Sequence, residues 1–304
     1  MNAPICLFVY NRCSHTKKTI ESLKKNRIAA TTEIFIFSDA AKTKAHEKDV
    51  AAVRKYIQSV SGFKKINIIL ADNNKGLANS IIDGVSYVMK KNESVIVFED
   101  DLITSPVTLE YLNIMLDTYK DNNQIMSITS YNYPESTIPT PNNYSYSNYF
   151  TGRPCSWGWA TWRDRWESIV WKGNIYDDYL NNKAQQHKFK KYAGTDIHRM
   201  LKKQLKNKID SWAVRFVFNC FIQNKLASYP TKSYITNIGS DGSGTHKGLN
   251  NDKIANTTLN SSLSLNSCPN YEINVDYFNS FNSFVKKKYI LKRLSFIIKG
   301  FFIK

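Results

Sequence analysis

Three adjacent carboxylates follow a short apolar segment in the first third of the chain. Glu99, Asp100 and Asp101 come directly after Val95 to Phe98, a run typical of a buried strand. Carboxylate oxygens are hard ligands for Mg²⁺ or Mn²⁺, and such a cation in turn neutralises a diphosphate. A bare acidic triplet is also compatible with a solvated turn or a helix N-cap. Its position after a strand favours a ligand site, because open α/β sheets bind ligands there.

Two more polar residues follow predicted strands. Arg12 ends the first strand segment, and Asp39 ends the second. A guanidinium suits a phosphate or a base carbonyl, and a carboxylate suits the imide N–H of a uracil ring. Each residue also has a structural interpretation, Arg12 in the first turn of a helix and Asp39 as an N-cap. Together with the acidic triplet, they favour a nucleotide crevice.

Five of the six tryptophans lie in one short stretch: Trp157, Trp159, Trp162, Trp166 and Trp171. They are set too closely to form one helical stripe, so some must point elsewhere. Indole rings stack on sugar rings while their N–H groups bind hydroxyls, which predicts a sugar platform beside the crevice. The alternative is a core between two subdomains. We place Gly158 at the substrate, because glycine permits close backbone approach.

The elements that must position these residues alternate along the chain. Strand-like runs are Ile5 to Tyr10, Glu33 to Phe37, Ile66 to Leu70, Val95 to Phe98 and Ile125 to Thr129. Helix-like runs are Thr16 to Lys25, Val50 to Val60, Leu77 to Met89, a segment from Leu109 to Tyr119, and 183–206 and 211–224. This alternation predicts an α/β fold with a mostly parallel sheet and helices on both faces.

Composition bounds the protein class. The chain has 304 residues, a net charge of +17 and 42% apolar residues, enough to bury a core, so wholesale disorder is excluded. No apolar run approaches the roughly 20 residues of a membrane span. We expect no signal peptide, a cytoplasmic location and five reduced cysteines. The basic excess favours a polyanionic neighbour, which could be nucleic acid, anionic lipid or a phosphorylated substrate.

Several of these segments together resemble one enzyme family. The resemblance is to bacterial GT-A glycosyltransferases related to the N-acetylglucosaminyltransferase that starts complex N-glycan branching, and it covers residues 4–246. It rests on Pro4 to Arg12, Ser38-Asp39, Gly76-Leu77 with Ile81 to Val85, Glu99-Asp100-Asp101, Gly158-Trp159 and Asp210-Ser211-Trp212. It implies a Rossmann-like GT-A fold, an inverting reaction and a nucleotide-sugar donor.

The resemblance also implies residue roles. Asp101 would hold Mn²⁺ or Mg²⁺, while Glu99, Asp100 and Gly76 would lie at the donor. The acceptor sugar would meet Trp157, Gly158, Trp159 and Trp212. An inverting transfer needs a general base, and the resemblance points to Asp210. The competing interpretation of Asp210 is an ordinary helix N-cap, with Trp212 in the core.

A glycine-rich stretch at 239–248 has the composition of a loop that closes over substrate. Within it, His246 could be a third metal ligand or a diphosphate contact, and Lys247 could steady the leaving UDP. A plain surface loop is an equally good interpretation. The other histidines, including His15 and His198, show no metal spacing, and we expect them at the surface.

The C-terminal residues 285–304 combine several Lys and Arg with large apolar side chains. Wound as a helix, they form an amphipathic pattern that suits an anionic membrane surface. The alternative is an ordinary helix packed on the domain. The Asn- and Ser-rich residues 250–284 favour the membrane interpretation, because a polar linker would free the tail from the core.

We therefore expect four parts. These are a nucleotide-sugar-binding half at 1–130, an acceptor-binding and catalytic half at 131–249, a polar linker at 250–284 and a basic amphipathic tail at 285–304.

The leading interpretation is a metal-dependent, inverting hexosyl- or N-acetylhexosaminyltransferase that acts at the inner face of the plasma membrane. It would use a nucleotide sugar, with UDP expected, and a lipid-linked or oligosaccharide acceptor in capsule, O-antigen or lipooligosaccharide synthesis. A sugar-nucleotide pyrophosphorylase is the alternative, although Pro4 to Ser14 lacks the glycines of its phosphate loop. A non-catalytic protein that binds nucleic acid or a membrane surface is suggested by charge alone, and we expect no nucleic-acid partner.

Overall fold

The computed structural model describes residues 2–243 and 252–285. Its strands are β1 Ile5–Val9, β2 Glu33–Ser38, β3 Lys65–Leu70, β4 Ser94–Glu99, β5 Leu102–Thr104, β6 Ile125–Thr129, β7 Asn148–Thr151, β8 Trp159–Trp162, β9 Leu226–Pro230 and β10 Ile235–Asn237. Its helices are α1 Cys13–Lys24, α2 Glu47–Ile57, α3 Gly76–Met89, α4 Thr108–Tyr119, α5 Arg163–Glu167, α6 Ile175–Asn181, α7 Lys183–Ala193, α8 Thr195–Leu205, α9 Trp212–Ile222 and α10 Asp252–Ala255. Residues 275–285 are also helical.

Eight strands form one sheet in the order β3-β2-β1-β4-β8-β6-β9-β7. The first four are parallel, β8 runs antiparallel to β4 and β6, β9 is parallel to β6, and β7 closes the edge in the antiparallel direction. A separate ribbon pairs β10 with β5. The chain runs from β1 outward to β2 and β3 and then returns to β4 on the other side of β1. The carboxyl ends of β1 and β4 therefore border the crevice where such sheets bind ligands.

Helices cover both faces of the sheet, which confirms the predicted α/β architecture. Alternate residues of β1 point to opposite cores, with Ile5 and Leu7 on one side and Cys6 and Phe8 on the other. The first core is closed by α1, α2 and α4, and the second by α3, α5 and α9. A third cluster, built from aromatic and aliphatic side chains of α6 to α9, stands beside the second. The strands are apolar on both faces because both faces are buried.

Five strands of the structure, β5, β7, β8, β9 and β10, are not among the predicted elements. Asn148–Thr151 forms the edge strand β7, which pairs with β9. The Trp-rich stretch contains a four-residue strand, Trp159–Trp162, that lies between β4 and β6. One sheet therefore extends across the boundary expected near residue 130, and the division of function between the two halves stays a prediction.

Much of the segment expected to be a polar linker packs on the domain. Tyr277 is buried, and its ring stacks on Tyr149 with centroids 3.6 Å apart. Cys268 is buried as well, and Ile273 forms a parallel bridge with Phe150 of β7. The linker prediction is corrected for these residues, because the apolar side chains scattered among Asn and Ser pack against the core of the domain. The tail from residue 286 onward lies outside the described residues.

All five cysteines are free, as expected. Within residues 2–243 and 252–285, no helix is long and apolar enough to cross a membrane.

Candidate active site

Arg12 connects the ends of the two central strands. It lies at the N-terminal end of α1, and Phe8 and Glu99 are register partners in β1 and β4, so the residues after each strand meet at one edge. The Arg12 Nη2 donates to Asp101 Oδ2 at 2.7 Å and also to Asp100 Oδ1. The predicted neighbourhood of Arg12 and the acidic triplet is present in the structure.

Burial shapes the charges of this cluster. Burial raises the pKa of Glu99 to about 8, and the negative charges of Asp101 and Asp100 act in the same direction. Burial also raises the pKa of Asp100 to about 6, although the nearby Arg12 favours its ionised form. Burial would lower the pKa of Arg12, but the charges and hydrogen bonds of the two aspartates raise it overall. The cluster is therefore a partly desolvated site in which Arg12 stays charged.

The cluster is covered by the first residues of the glycine-rich stretch. The Ile238 N–H donates to the Asp101 carbonyl oxygen at 2.8 Å, and Gly239 packs directly on the Asp101 carboxylate. His15 fixes the same loop, with its Nε2 lying 3.1 Å from Asp241 Oδ2 and 3.3 Å from the Ile238 carbonyl oxygen. The hydrogen bonds from Ser243 lower the pKa of Asp241, so this carboxylate stays ionised beside the imidazole.

The expectation that His15 lies at the surface is wrong. The side chain of His15 is only 14% exposed and faces the covering loop. The sequence feature that indicates a position near the cluster is the spacing of His15, three residues after Arg12. This spacing places both side chains on the same side of the first turn of α1. The expectation for His198 is also wrong, because this side chain is buried in the helical cluster beside Tyr179.

Asp39 organises the loop before α3. Its Oδ1 accepts hydrogen bonds from the N–H groups of Ala40 and Lys75, and its Oδ2 accepts from the Gly76 N–H and the Asn74 side-chain amide, all at 2.9 to 3.0 Å. A carboxylate offers about four acceptor positions, so protein groups fill them all. Contact with a uracil ring through Asp39 would require one of these bonds to be released, and the contact stays a prediction.

Gly76 begins α3 with a φ of +75°, a conformation that favours glycine. A Cβ at this position would meet no atom within 4 Å. The need for glycine therefore comes from the backbone conformation and not from crowding. Its N–H is one of the donors to Asp39. The donor-binding role of Gly76 stays a prediction.

Trp159 and Trp212 belong to the core, which corrects their assignment to the acceptor sugar. They are 1% and 4% exposed, and their rings stack with centroids 5.0 Å apart. Trp166 also stacks on Trp159, with ring centroids 5.7 Å apart. The Trp159 ring is not available to a sugar, because the rings of Trp166 on α5 and Trp212 on α9 pack against it. The alternative of a core between elements holds for these two residues.

Trp157 and Gly158 lie at the carboxyl edge of the sheet. Trp157 is half-buried, and its carbonyl oxygen accepts from the Thr129 hydroxyl at the end of β6. Gly158 has a φ of +55°, and an added Cβ would lie 2.5 Å from Ser130 Oγ and 3.0 Å from the ring of Phe98, the residue before Glu99. Tight packing next to the end of β4 explains this glycine, while contact of either residue with substrate stays a prediction.

Asp210 also comes to this edge through the topology. The helix α9 leads directly into β9, which is parallel to β6, so α9 begins on the side where these strands end. The N-cap of α9 is Ser211, whose hydroxyl accepts from the Val214 N–H at 3.4 Å. Asp210 is therefore not the cap. Its exposed carboxylate is held by Arg215 Nη2 at 3.1 Å.

The residues present suit a divalent cation that arrives with a diphosphate. Within the described parts of the chain, no group of three His, Cys, Asp or Glu side chains is arranged to hold a metal ion by itself. The acidic triplet supplies hard oxygen ligands, and Mg²⁺ sites often combine one or two carboxylates with substrate phosphates. His246 and Lys247, assigned to the metal and the donor, lie outside the described residues.

Comparison with known proteins assigns the family. The profile of Glycosyl transferase family 2 matches residues 5–216. No curated protein matches the chain in sequence. Among solved structures, S. aureus TarS 1–349 is 12% identical, with a TM-score of 0.43 over 76% of this chain and 59% of that chain. The same TarS fragment in complex with UDP-GlcNAc is 13% identical, with a TM-score of 0.42 over 77% of this chain and 58% of that one.

The mannosyltransferase PcManGT from Pyrobaculum calidifontis, solved with GDP-Man and Mn²⁺, is 9% identical, with a TM-score of 0.42 over 74% of this chain and 70% of that chain. The chain spans about three fifths of the length of the TarS fragment, since the match covers 59% of that fragment. The assignment rests on the family profile, and the narrower resemblance to the N-acetylglucosaminyltransferase branch stays a prediction. With its mostly parallel sheet and its match over residues 5–216, the chain belongs to glycosyl transferase family 2 and has a GT-A fold.

Proposed function

We propose that this protein is an inverting glycosyltransferase that uses a nucleotide-sugar donor, with UDP as the expected nucleotide. The observation that carries the proposal is the cluster of Arg12 with Glu99, Asp100 and Asp101 at the carboxyl ends of β1 and β4. The sugar would pass to a lipid-linked or oligosaccharide acceptor in bacterial surface polysaccharide synthesis.

Arg12 and the acidic triplet would contact different parts of the bound donor. Among the described residues, none is a hydrogen-bond partner of the buried Nη1 of Arg12, so this group can donate to a diphosphate oxygen. Glu99 and Asp100 would contact the ribose or the donor sugar, and Asp101 would hold the cation. A bound Mn²⁺ or Mg²⁺ would neutralise the diphosphate and so help it to leave.

Asp210 is proposed as the general base. Its carboxylate would take the proton of the acceptor hydroxyl while that oxygen forms the new bond to the anomeric carbon and the bond to the diphosphate breaks. Its exposure suits contact with an incoming acceptor, and Arg215 holds its orientation from one side. Trp157, half-buried at the same edge, would provide a surface for the acceptor sugar.

The same proposal places the protein at the cytoplasmic face of the plasma membrane. Support comes from the sequence, with its net charge of +17 and its basic, apolar residues 285–304. An anionic membrane surface would also bring the enzyme to a lipid-linked acceptor.

Donor binding provides the direct test. A panel of nucleotide sugars is screened by thermal shift and calorimetry, with and without Mn²⁺, on wild type and Asp101→Asn. We expect one donor class to raise the melting temperature in the presence of Mn²⁺, and the variant to lose the Mn²⁺-dependent part. Asp117→Asn is the matched control, because Asp117 is 79% exposed near the end of α4, where it forms a surface ion pair with Lys120. Equal Mn²⁺-dependent binding by wild type and Asp101→Asn would refute the role of Asp101.

A further inference from the structure

One cation already lies between two members of the acidic triplet, and it belongs to the chain itself. Arg12 Nη2 donates to both Asp100 Oδ1 and Asp101 Oδ2. We propose that Arg12 takes the place of the divalent cation in the donor-free protein and moves to the diphosphate when donor and cation bind together. The inference rests on the proposed function and concerns the order in which charges are exchanged at that site.

The polar groups of this pair are not all satisfied. Asp100 is 5% exposed, and its Oδ2 is buried without a hydrogen-bond partner within the described residues. Arg12 Nη1 is likewise buried and unpartnered there. Buried polar atoms without partners are costly, so such an arrangement favours a ligand that supplies both a positive and a negative group. A divalent cation carried by a diphosphate has both.

Arg12 and a metal ion compete for the same atom. Arg12 donates to Asp101 Oδ2, and Gly239 packs against the same oxygen. A cation that reaches Asp101 without a diphosphate must either displace the guanidinium or lie beside it, and two positive charges at that distance repel each other in a partly buried site. When a diphosphate is present, its oxygens offer the guanidinium a second bidentate partner, and the carboxylate becomes free for the metal.

The consequence is that cation and nucleotide should bind with strong mutual dependence. Without nucleotide, Arg12 lowers the affinity for the cation. With nucleotide, Arg12 raises the affinity of the nucleotide for the protein. Removal of Arg12 should therefore change the two affinities in opposite directions, a pattern that loss of a merely structural residue does not produce.

The test measures Mn²⁺ binding directly, from the electron paramagnetic resonance signal of free Mn²⁺, for wild type and Arg12→Gln with and without UDP. For Arg12→Gln without UDP, we expect the Mn²⁺ affinity to rise about tenfold or more over wild type. For the same variant, we expect the affinity for UDP in saturating Mn²⁺ to fall by about tenfold or more. Arg12→Gln with Asp101→Asn should lose the gain in Mn²⁺ affinity.

Folding provides a second readout, because Arg12→Gln leaves the buried Asp100 without its cation and should lower the melting temperature. Mn²⁺ alone should restore part of that loss by taking the place of the guanidinium. The matched control is Arg153→Gln, since Arg153 forms a similarly buried pair with Asp196 elsewhere in the fold, with side-chain exposures of 21% for both. Mn²⁺ should not restore the stability of this control.

Two different failures are distinguishable. If wild type binds Mn²⁺ and UDP together, while Arg12→Gln shows unchanged or weaker Mn²⁺ binding without UDP and no recovery of stability, the exchange is wrong and the proposed function stands. If no protein binds Mn²⁺ even with UDP present, both the exchange and the metal-assisted function are wrong.

Discussion

Gly239 lies directly on the carboxylate of Asp101, although all the elements from β5 to β10 separate them in the chain. A Cβ added at Gly239 would overlap the Asp101 side chain, and the φ of Gly239 is not in the left-handed region. The glycine is therefore required by this contact and not by its own backbone. The contact joins the start of the glycine-rich stretch to the proposed metal ligand, so the position of the stretch and the position of the carboxylate depend on each other.

Gly239→Ala should push the carboxylate and the loop apart. We expect the affinity for UDP in the presence of Mn²⁺ to fall by about tenfold or more, with a small change in melting temperature, because the overlap falls on a partly exposed site. Calorimetric titration measures the affinity. Ser240→Ala in the same loop is the control and should bind normally. Normal binding by both variants would show that the contact has no part in donor binding.

Asp210→Asn should reduce kcat by about 10²-fold or more, because the amide cannot take a proton from the acceptor. Donor affinity and melting temperature should change little, since Ser211 caps α9 and the amide oxygen can still accept from Arg215. Initial rates at saturating donor and acceptor measure the effect. Ser211→Ala is the comparison, and it should cost about 1 kcal/mol of stability without a similar loss of rate. A rate for Asp210→Asn within a few-fold of wild type would move the search for the base to Glu99 and Asp241.

The tryptophans should separate into core and substrate residues. Trp159→Ala should lower the free energy of unfolding by about 3 to 5 kcal/mol, because it empties a fully buried site between Trp166 and Trp212. Trp157→Ala should destabilise much less and should instead raise the KM for the acceptor. Urea denaturation and acceptor titration measure the two effects. A large loss of stability with an unchanged acceptor KM for Trp157→Ala would place this residue in the core as well.

His198 should make stability depend on pH well away from the site. Burial lowers the pKa of His198 to about 4, and the nearby lysines act in the same direction, while the Tyr179 hydroxyl bonds to its Nδ1. Between pH 4 and the ordinary value near 6.5, the unfolded chain binds the proton and the folded chain does not, so stability falls as the pH falls through this window. The neutral imidazole is the form that the buried site accepts.

Urea denaturation of wild type and His198→Gln at pH 7 and pH 5 isolates this residue. From pH 7 to pH 5, wild type should lose about 1 to 2 kcal/mol more than the variant, because glutamine does not titrate. Equal losses in the two proteins would show that His198 is protonated in the folded state or that its proton affinity is unchanged by folding.

Removal of residues 286–304 should leave the fold intact and weaken binding to anionic vesicles. The described helix at 275–285 keeps its contacts, including the stacking of Tyr277 on Tyr149, so thermal unfolding should change little. Basic residues contribute about 1 kcal/mol each near an anionic surface, so vesicle sedimentation should show a sharp loss. Zwitterionic vesicles are the control. Loss of folding on truncation would support the alternative of a helix packed on the domain.

The sequence alone determined the alternation of strands and helices from β1 to β6, apart from the short strand β5, and with it the edge at which Arg12 and Glu99 to Asp101 meet. The prediction succeeds because the hydrophobic periodicities of strands and helices are local features of the sequence. It also succeeds because the carboxyl ends of parallel strands must come to one side of a sheet. The predicted strands β1 to β4 and helices α1, α3 and α4 differ from the structure mainly by one or a few residues at their ends.

Only the tertiary structure decided which polar and aromatic residues are available to a ligand. Trp159 and Trp212 are covered because α9 packs on β8, and Asp39 is occupied because the start of α3 reaches the end of β2. The contact of Gly239 with Asp101 likewise depends on β10 pairing with β5. Each of these contacts joins residues far apart in the chain, and a residue's own type and near neighbours do not encode whether a distant element will bury it or use its hydrogen bonds.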